Sequence, residues 1–363
     1  MKIKRIRSQI VRLPVDEPLA DGPPSGRAYN MFVAIRIDTE DGIEGIGAAF
    51  FGGVLSGTLK HAIDELGAMI VGDDPLRIEA LTQKLRNAGA SAGPGGILTL
   101  AIAGIDMALW DIKGKFLGQS LSAMLGGLRE RVPTYASGAL VRSYSLDHLL
   151  KSCRTLVERG FKQMKTQMAL PGDITPAQEA ERARLTREAV GPDVDLMCDI
   201  NQRWSVNQAI DIGKRVEDVH FFWLEDVTVH DDYAGLARVA DALATPLASG
   251  ECLYGITPFR HTIEAHSADI IMIDLIRVGG ISNWMKVAAL AEAFNLPVVS
   301  HLLPEIHVHL ISAIPNGLTV EYMPWSFGLF EEVPVPVNGE LVVPTKPGLG
   351  LEFNRQLDRY VVG

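Results

Sequence analysis

The sequence predicts an α/β protein in which a parallel β/α barrel follows a smaller α+β domain. Three observations support this. The chain has 363 residues, which exceeds one ordinary domain. Its first 50 residues alternate like antiparallel strands, and from about residue 133 short apolar runs alternate with amphipathic helical stretches. Hydrophobic residues make up 47% and charged residues 21%, which is typical of a soluble globular protein.

The N-terminal part predicts strands followed by helices. Residues 30–50 indicate two strands around the turn Asp41-Gly42, and a long apolar helix at 98–118 ends at a glycine. After about residue 325 the pattern becomes Pro-rich and irregular. The predicted domains are an α+β capping domain at 1–125, a catalytic barrel at 126–325, and a segment at 326–363 that packs back on the capping domain.

Eight runs predict the barrel strands. They are VPTYASG, FKQMKTQ, DLMCDIN, FFWLED, PLASGE, IIMIDL, PVVSH and LTVEYM, with about seven helical segments between them. A doubly wound open sheet is the alternative. The number of strands and the lack of a GxGxxG motif after the first strand favour the barrel.

Charge and cysteine content exclude several classes of protein. The net charge is −10 and there is no basic run, so nothing in the sequence indicates nucleic-acid binding. The cysteines Cys153, Cys198 and Cys252 lie far apart, which argues against a disulfide framework and for a reducing compartment. No stretch resembles a signal peptide or a membrane span. We therefore expect a cytoplasmic protein without a membrane or nucleic-acid partner.

Polar residues follow the apolar runs at nearly every predicted barrel strand after the first. They are Lys165 and Gln167, Asp199 and Asn201, Glu225 and Asp226, Glu251, Asp274, His301 and Glu321. A helix N-cap or loop position explains any one of them. Seven strands in succession are harder to explain in this way, because carboxylates that meet at one rim repel each other unless a cation binds them. The carboxyl ends of barrel strands are also where such proteins carry function.

Three of these acids have a regular spacing. Asp199, Glu225 and Glu251 are 26 residues apart in each step, which places them on successive strands. A set of oxygen ligands without His or Cys favours a hard cation, so the sequence predicts Mg²⁺.

A carboxylate and an imidazole end the next two strands. Asp274 beside His301 would hold one tautomer of the ring and make it a general base, although a structural histidine is the alternative for His301 alone. Lys165 is either a residue of the site or a surface lysine. In the site it would neutralise substrate charge or have a lowered pKa. His307 and His309 are interpreted as structural or solvent-facing.

The chain resembles the enolase superfamily and, within it, the mandelate racemase subgroup. The segments that carry the resemblance are AGIDMALWDIKGK, MCDINQRW, WLEDV, SGECLYG, MIDLIRVGGISNW, VVSHLLPEIHVHL and LTVEYM. Together they cover essentially the whole chain. The resemblance implies a modified TIM barrel, (β/α)7β, with an N-terminal α+β capping domain. It also implies a homo-oligomer, often a dimer or an octamer.

The resemblance implies a role for each matched residue. Asp199, Glu225 and Glu251 match metal ligands, and Asn201 matches a polar residue near the metal. His301 matches the general base and Asp274 its orienting partner. Glu321 matches the acid that hydrogen-bonds the enediolate oxygen, and Lys165 matches the first lysine of a Lys-x-Lys motif. Muconate-lactonising relatives carry a lysine base where this chain has Asp274. The Asp–His arrangement therefore favours mandelate racemase or the acid-sugar dehydratases.

One position departs from the family pattern. Gln167 stands where the family has its second lysine, and a neutral amide cannot accept a proton at working pH. We therefore expect dehydration of an acid sugar to a 2-keto-3-deoxy acid, with His301 as the base. A racemase or epimerase of a 2-hydroxy acid stays open because Lys165 could serve as the opposite base, and a non-catalytic metal-binding homologue is the third reading. Arg27 and Tyr29, on a capping loop, either contact the far end of a small carboxylate substrate or are ordinary loop residues.

Overall fold

The N-terminal part of the chain is an antiparallel sheet covered by helices. The computed structural model describes residues 1–15, 19–20, 29–50 and 53–362, and all statements below concern those residues. The strands are β1 (Ile3–Pro14), β2 (Tyr29–Thr39) and β3 (Glu44–Phe50), paired in that order. The helices are α1 (Ser56–Ala68), α2 (Ile78–Ala88), α3 (Gly96–Leu117) and α4 (Leu121–Met124).

Two glycine positions confirm local predictions. Gly42, at φ 83°, lies in the tight turn between β2 and β3, and Gly118, at φ 65°, ends α3. A third glycine explains how sheet and helix meet. A Cβ on Gly47 would lie 2.1 Å from the carbonyl oxygen of Gly104, so β3 can approach the α3 backbone only without a side chain there.

Eight parallel strands form the barrel, and its order and closure confirm the predicted architecture. They are β4 (Arg131–Leu140), β5 (Gln163–Gln167), β6 (Asp195–Asp199), β7 (Leu224–Glu225), β8 (Leu247–Ser249), β9 (Ile270–Asp274), β10 (Val298–His301) and β11 (Val320–Tyr322). Successive strands from β4 to β10 pair in order, and β11 pairs with β4. The amide of Leu318 donates to the carbonyl of Val298, which joins the last two strands.

Seven helices connect these strands. They are α5 (Leu146–Glu158), α6 (Pro176–Val190), α7 (Val206–Arg215), α8 (Tyr233–Ala242), α9 (Thr257–Glu264), α10 (Ile281–Ala293) and α11 (Pro304–Ala313). Thr175 and Ser205 begin α6 and α7 with reciprocal capping boxes, which explains why these loops turn into helices where they do.

The barrel interior is a packed apolar core that forms the floor beneath the strand ends. Its members are Tyr135, Met197, Trp223, Ala248, Ile270, Met272 and Val299, all buried. Trp223 also reaches the site above, because its indole Nε1 donates to Glu225 Oε2 at 3.0 Å. The floor therefore holds the polar side chains at a defined height in the barrel mouth.

The C-terminal segment contacts both parts of the protein. Strand β12 (Glu340–Val342) pairs antiparallel with β4, and Val361 forms a bridge with Val11 of β1. Asp111 of α3 accepts the amides of Ile46 and Leu349, each at 2.9 Å. Among the described helices, none combines the length and the apolar character that crossing a membrane requires.

Candidate active site

A pocket of about 850 Å³ opens at the carboxyl ends of the barrel strands. Val15, Asn30 and Phe50 of the N-terminal domain complete its wall. Eight predicted site residues line it: Lys165, Gln167, Asp199, Asn201, Glu251, Asp274, His301 and Glu321. Glu225 lies beneath them, fully buried and in contact with Lys165.

The three spaced carboxylates lie at or just after the ends of three adjacent strands. Asp199 and Glu225 are register partners on β6 and β7, and Glu251 lies two residues after the end of β8. Burial raises the pKa of Asp199 to about 6, and the charge of Glu251 adds to this. Burial also raises the pKa of Glu225 well above its usual range, with further repulsion from Asp199 and Glu251. Such a group of buried, mutually repelling oxygens fits a hard divalent cation.

Asp226, the second acid of the WLEDV segment, is buried and bonded to two polar side chains. Its carboxylate accepts from Ser249 Oγ at 2.9 Å and from Gln202 Nε2 at 3.2 Å. Asp226, Glu251 and Cys252 offer three potential ligand atoms within 4.8 Å of one another. Burial raises the pKa of the Cys252 thiol to about 12, which keeps it protonated and a poor ligand for a hard cation.

Lys165 is not a surface residue. Its ammonium group is buried, 2.6 Å from Glu225 Oε1 and 2.9 Å from Glu321 Oε1. Burial lowers the pKa of Lys165, but the two carboxylates outweigh it and the net shift is upward. A lowered pKa, one of the two properties considered from the sequence, is therefore wrong for this arrangement.

His301 lies between two carboxylates. Asp274 Oδ2 is 2.7 Å from its Nδ1, and Glu251 Oε2 is 3.2 Å from its Nε2. Burial lowers the pKa of His301, but Glu251 and Asp274 raise it to about 9. Burial raises the pKa of Asp274, while the contact with His301 and the charge of Arg277 lower it to about 2. Asp274 is thus an ionised partner for the imidazole.

Glu321 is held by donors on every side. Its Oε1 accepts from Ser137 Oγ at 2.8 Å, and its Oε2 accepts from the amide of Leu302 at 2.6 Å. Burial raises its pKa, but Lys165 and His301 lower it to about 2. Both oxygens of Glu321 therefore accept hydrogen bonds from the protein.

Arg142, on the loop after β4, organises the opposite wall and was not predicted from the sequence. Its backbone amide donates to Gln167 Oε1 at 3.3 Å, which turns the amide NH₂ of Gln167 away from Arg142. Its guanidinium donates to Asn201 Oδ1 and to the carbonyl of Asp199. Asn201 in turn donates its backbone amide to Asp199 Oδ1 at 2.7 Å. The only signal for Arg142 was its position after a barrel strand that lacked an assigned polar residue.

The structure does not bring Tyr29 into the pocket. Its ring is 46% exposed and lies under the guanidinium of Arg12, 3.6 Å from the ring centroid, on the β1–β2 ribbon. This cation–π contact holds the ring on the strand surface, away from the described residues that line the pocket, and a substrate contact by Tyr29 stays a prediction. Arg27 lies outside the described residues.

Comparisons with known proteins agree over the whole chain. Residues 24–126 match the mandelate racemase / muconate lactonizing enzyme N-terminal domain, and residues 148–357 match the enolase C-terminal domain-like family. The chain is 32% identical to L-talarate/galactarate dehydratase of Salmonella typhimurium over 99% of this chain and 91% of that protein. It is 30% identical to 3,6-anhydro-alpha-L-galactonate cycloisomerase of Streptomyces coelicolor, over 99% and 100%.

Solved structures show the same fold. The crystal structure of L-talarate dehydratase from Polaromonas sp. JS666, complexed with Mg and L-glucarate, superposes with a TM-score of 0.91 at 32% identity. The superposition covers 100% of this chain and 98% of that one.

Proposed function

Because the chain belongs to the mandelate racemase / muconate lactonizing enzyme family of the enolase superfamily, we propose that it is a Mg²⁺-dependent acid-sugar dehydratase. It removes the α-proton of a sugar acid and yields a 2-keto-3-deoxy acid. One observation carries the choice of reaction: the pocket holds an imidazole paired with a carboxylate, His301–Asp274, while Gln167 occupies the position of a second base. Racemisation through two bases needs a proton acceptor on each face of the substrate.

Asp199, Glu225 and Glu251 would hold the Mg²⁺. The relative from Polaromonas carries Mg and L-glucarate in its structure, and the present donor set consists of carboxylate oxygens, which suits the same ion. Bound there, the ion would stabilise the negative charge that develops on the substrate carboxylate as the α-proton leaves.

The protein's own residues supply the proton transfers. In the neutral ring of His301, Asp274 holds the N–H on Nδ1, so the unprotonated Nε2 takes the α-proton. The electron pair of the C–H bond forms the carbon–carbon double bond as the β-hydroxyl departs. The imidazolium of His301, or the ammonium of Lys165, protonates that hydroxyl so that it leaves as water. The resulting enol then takes up a proton at C3 and loses the proton of its C2 hydroxyl, which gives the keto acid. Lys165 and Glu321 complete the polar surround of the substrate's carboxylate end.

A screen with a matched variant tests this proposal. The Mg²⁺-loaded protein is incubated with a stereochemically complete acid-sugar library, and 2-keto acid is trapped with semicarbazide. We expect keto acid from the wild type and none from His301→Asn. The same library is also incubated in D₂O. Recovered substrate with deuterium at C2 and inverted configuration, without keto acid, would show that the protein is an epimerase and not a dehydratase. If no member of the library gives keto acid or deuterium exchange, both the dehydratase and the epimerase proposals are wrong.

The finer organisation is proposed on the family resemblance. We take residues 1–125 with 326–363 as the capping unit and 126–325 as the barrel. The family match at 24–126 supports the first boundary, whereas the match at 148–357 extends past residue 325. We also propose a cytoplasmic homo-oligomer, a dimer or an octamer. Multi-angle light scattering on the purified protein would distinguish these from a monomer.

A further inference from the structure

The chain makes an unusual turn directly after His301. Leu302 and Leu303 both have left-handed backbone conformations, with φ of 55° and 43°. Leucine rarely adopts this conformation, because its Cβ crowds the backbone. Both residues are buried, and Leu302 lines the pocket. Something in the surrounding structure must hold this turn, and such strained backbone is concentrated at functional sites.

His307 of α11 binds the carbonyl groups of both leucines. Its Nδ1 lies 2.6 Å from the carbonyl oxygen of Leu302, and its backbone amide donates to the carbonyl of Leu303 at 3.0 Å. Since a carbonyl oxygen can only accept, Nδ1 must carry the hydrogen. The ring is fully buried, and its Nε2 has no hydrogen-bond partner within the described part of the chain. The side chain therefore makes one polar contact, and that contact is to the turn.

The other end of Leu302 reaches the site. Its amide donates to Glu321 Oε2 at 2.6 Å, and the residue before it is His301. The Leu302 backbone thus connects His307 on one side with Glu321 on the other.

We propose that His307 is a positioning residue: by holding the left-handed Leu302 turn, it aims the Leu302 amide at Glu321 and sets the direction in which His301 enters the pocket. The change expected in kcat rests on the proposed function, whereas the change expected in the Leu302 turn does not. His307 is not among the described residues that line the pocket, and its hydrogen bond reaches the site through Leu302.

His309 provides a matched control. It lies two residues further along the same helix and is equally buried, but its ring bonds the carbonyl of Leu349 and the amide of Ser122, away from the pocket. Replacing either histidine with leucine removes a buried imidazole from α11. Only the His307 change removes a bond to the turn that follows His301.

The variants are His307→Leu, His307→Asn and His309→Leu. Asparagine places an amide N–H close to where Nδ1–H lies, so His307→Asn retains the donor. For His307→Leu we expect kcat to fall about 10- to 100-fold, with KM changed less than threefold, because a small misplacement of reacting groups has costs of this size. The primary isotope effect with C2-deuterated substrate should rise. His307→Asn should recover most of kcat, and His309→Leu should lower Tm without changing the isotope effect.

Crystal structures of the same variants test, without any substrate, whether His307 holds the Leu302 turn. We expect the Leu302 N to Glu321 Oε2 contact to be lost in His307→Leu and kept in His307→Asn and His309→Leu. An unchanged left-handed turn and Glu321 contact in His307→Leu would overturn the proposal, whatever reaction the enzyme catalyses. So would equal loss of kcat in the Asn and Leu variants. If His307→Leu does not fold, His307→Gln, whose amide lies one bond too far, takes its place in both experiments.

Discussion

Asp274 and His301 face each other in register on adjacent strands, with Oδ2 of the carboxylate 2.7 Å from Nδ1 of the ring. The other carboxylate oxygen of Asp274 accepts the amides of Ile276 and Arg277 at 2.9 and 2.7 Å, so the group cannot rotate away. In its neutral form the imidazole therefore keeps its hydrogen on Nδ1 and presents an unprotonated Nε2 to the pocket. The tautomer of the base is determined by the backbone of the loop after β9 as much as by Asp274 itself.

Asp274→Asn tests this dependence. The two backbone amides will retain the carbonyl oxygen of the asparagine, so its NH₂ will face His301 Nδ1 and force the ring hydrogen onto Nε2. A ring in that tautomer cannot accept the α-proton, and we expect kcat to fall about 10²- to 10⁴-fold with Mg²⁺ affinity unchanged. Steady-state kinetics and titration calorimetry measure the two quantities. A loss of less than threefold would remove Asp274 from the orienting role.

Gln167→Lys should add a base on the second face. If the amide at this position is what excludes epimerisation, a lysine there will allow a proton to return from the other side. Recovered substrate in D₂O should then contain deuterium at C2 with inverted configuration, which NMR detects. Gln167→Met, of similar length and not ionisable, is the control. Inversion by the wild type or by the methionine variant would show that position 167 does not decide the outcome.

The sequence predicted the acidic side of the site because two simple rules coincide there. Barrel strands deliver their last residues to one mouth, and Asp199, Glu225 and Glu251 recur at the spacing of one β/α unit. Their convergence needs no knowledge of loop geometry. The fold followed from the same periodicity, because eight apolar runs that alternate with helices have few arrangements other than a closed parallel barrel.

The contacts that the sequence could not predict depend on tertiary approach. Arg142 lies in a loop without a motif, and its role depends on where Asn201 and Gln167 lie around the barrel. His307 could be structural or solvent-facing by sequence, and only the left-handed turn at Leu302 shows what it binds. Asp106, an isolated acid within an apolar helix, has a partner in a different domain.

Asp106 supplies the N-terminal cap that α10 lacks. Gly280 precedes that helix and has no side chain, while Asp106 of α3 accepts the amide of Ser282 at 3.1 Å and its hydroxyl at 2.5 Å. Asp106→Ala leaves a buried N–H unpaired, and we expect a loss of about 1–3 kcal/mol in the free energy of unfolding. Urea denaturation measures it.

The pH dependence of that loss has a definite sign. Burial raises the pKa of Asp106 from 3.8 to about 6, so its contribution to stability is fully present below the unfolded value and declines as pH rises through 6. The difference between the wild type and Asp106→Ala should therefore be larger at pH 5 than at pH 7. Asp106→Asn, which keeps an acceptor but does not titrate, should show no such trend relative to Asp106→Ala. A loss that grows with pH would contradict the assignment.

His309 should make the protein sensitive to mild acid. Its Nδ1 accepts the amide of Ser122 at 3.3 Å and its Nε2 donates to the carbonyl of Leu349 at 3.1 Å, an arrangement that only the neutral ring can form. Burial lowers its pKa from 6.5 to about 4, so this contribution is present above the unfolded value and is lost as pH falls towards 4. Between pH 7 and pH 5 the loss is about 2 kcal/mol. His309→Gln keeps a donor and an acceptor but does not titrate. Between pH 7 and pH 5 its free energy of unfolding should therefore fall by that amount less than the wild type's. His307 and the acidic site do not affect this difference, because both proteins contain them. Equal pH dependence of the two unfolding free energies would show that His309 is not the group that acid disrupts.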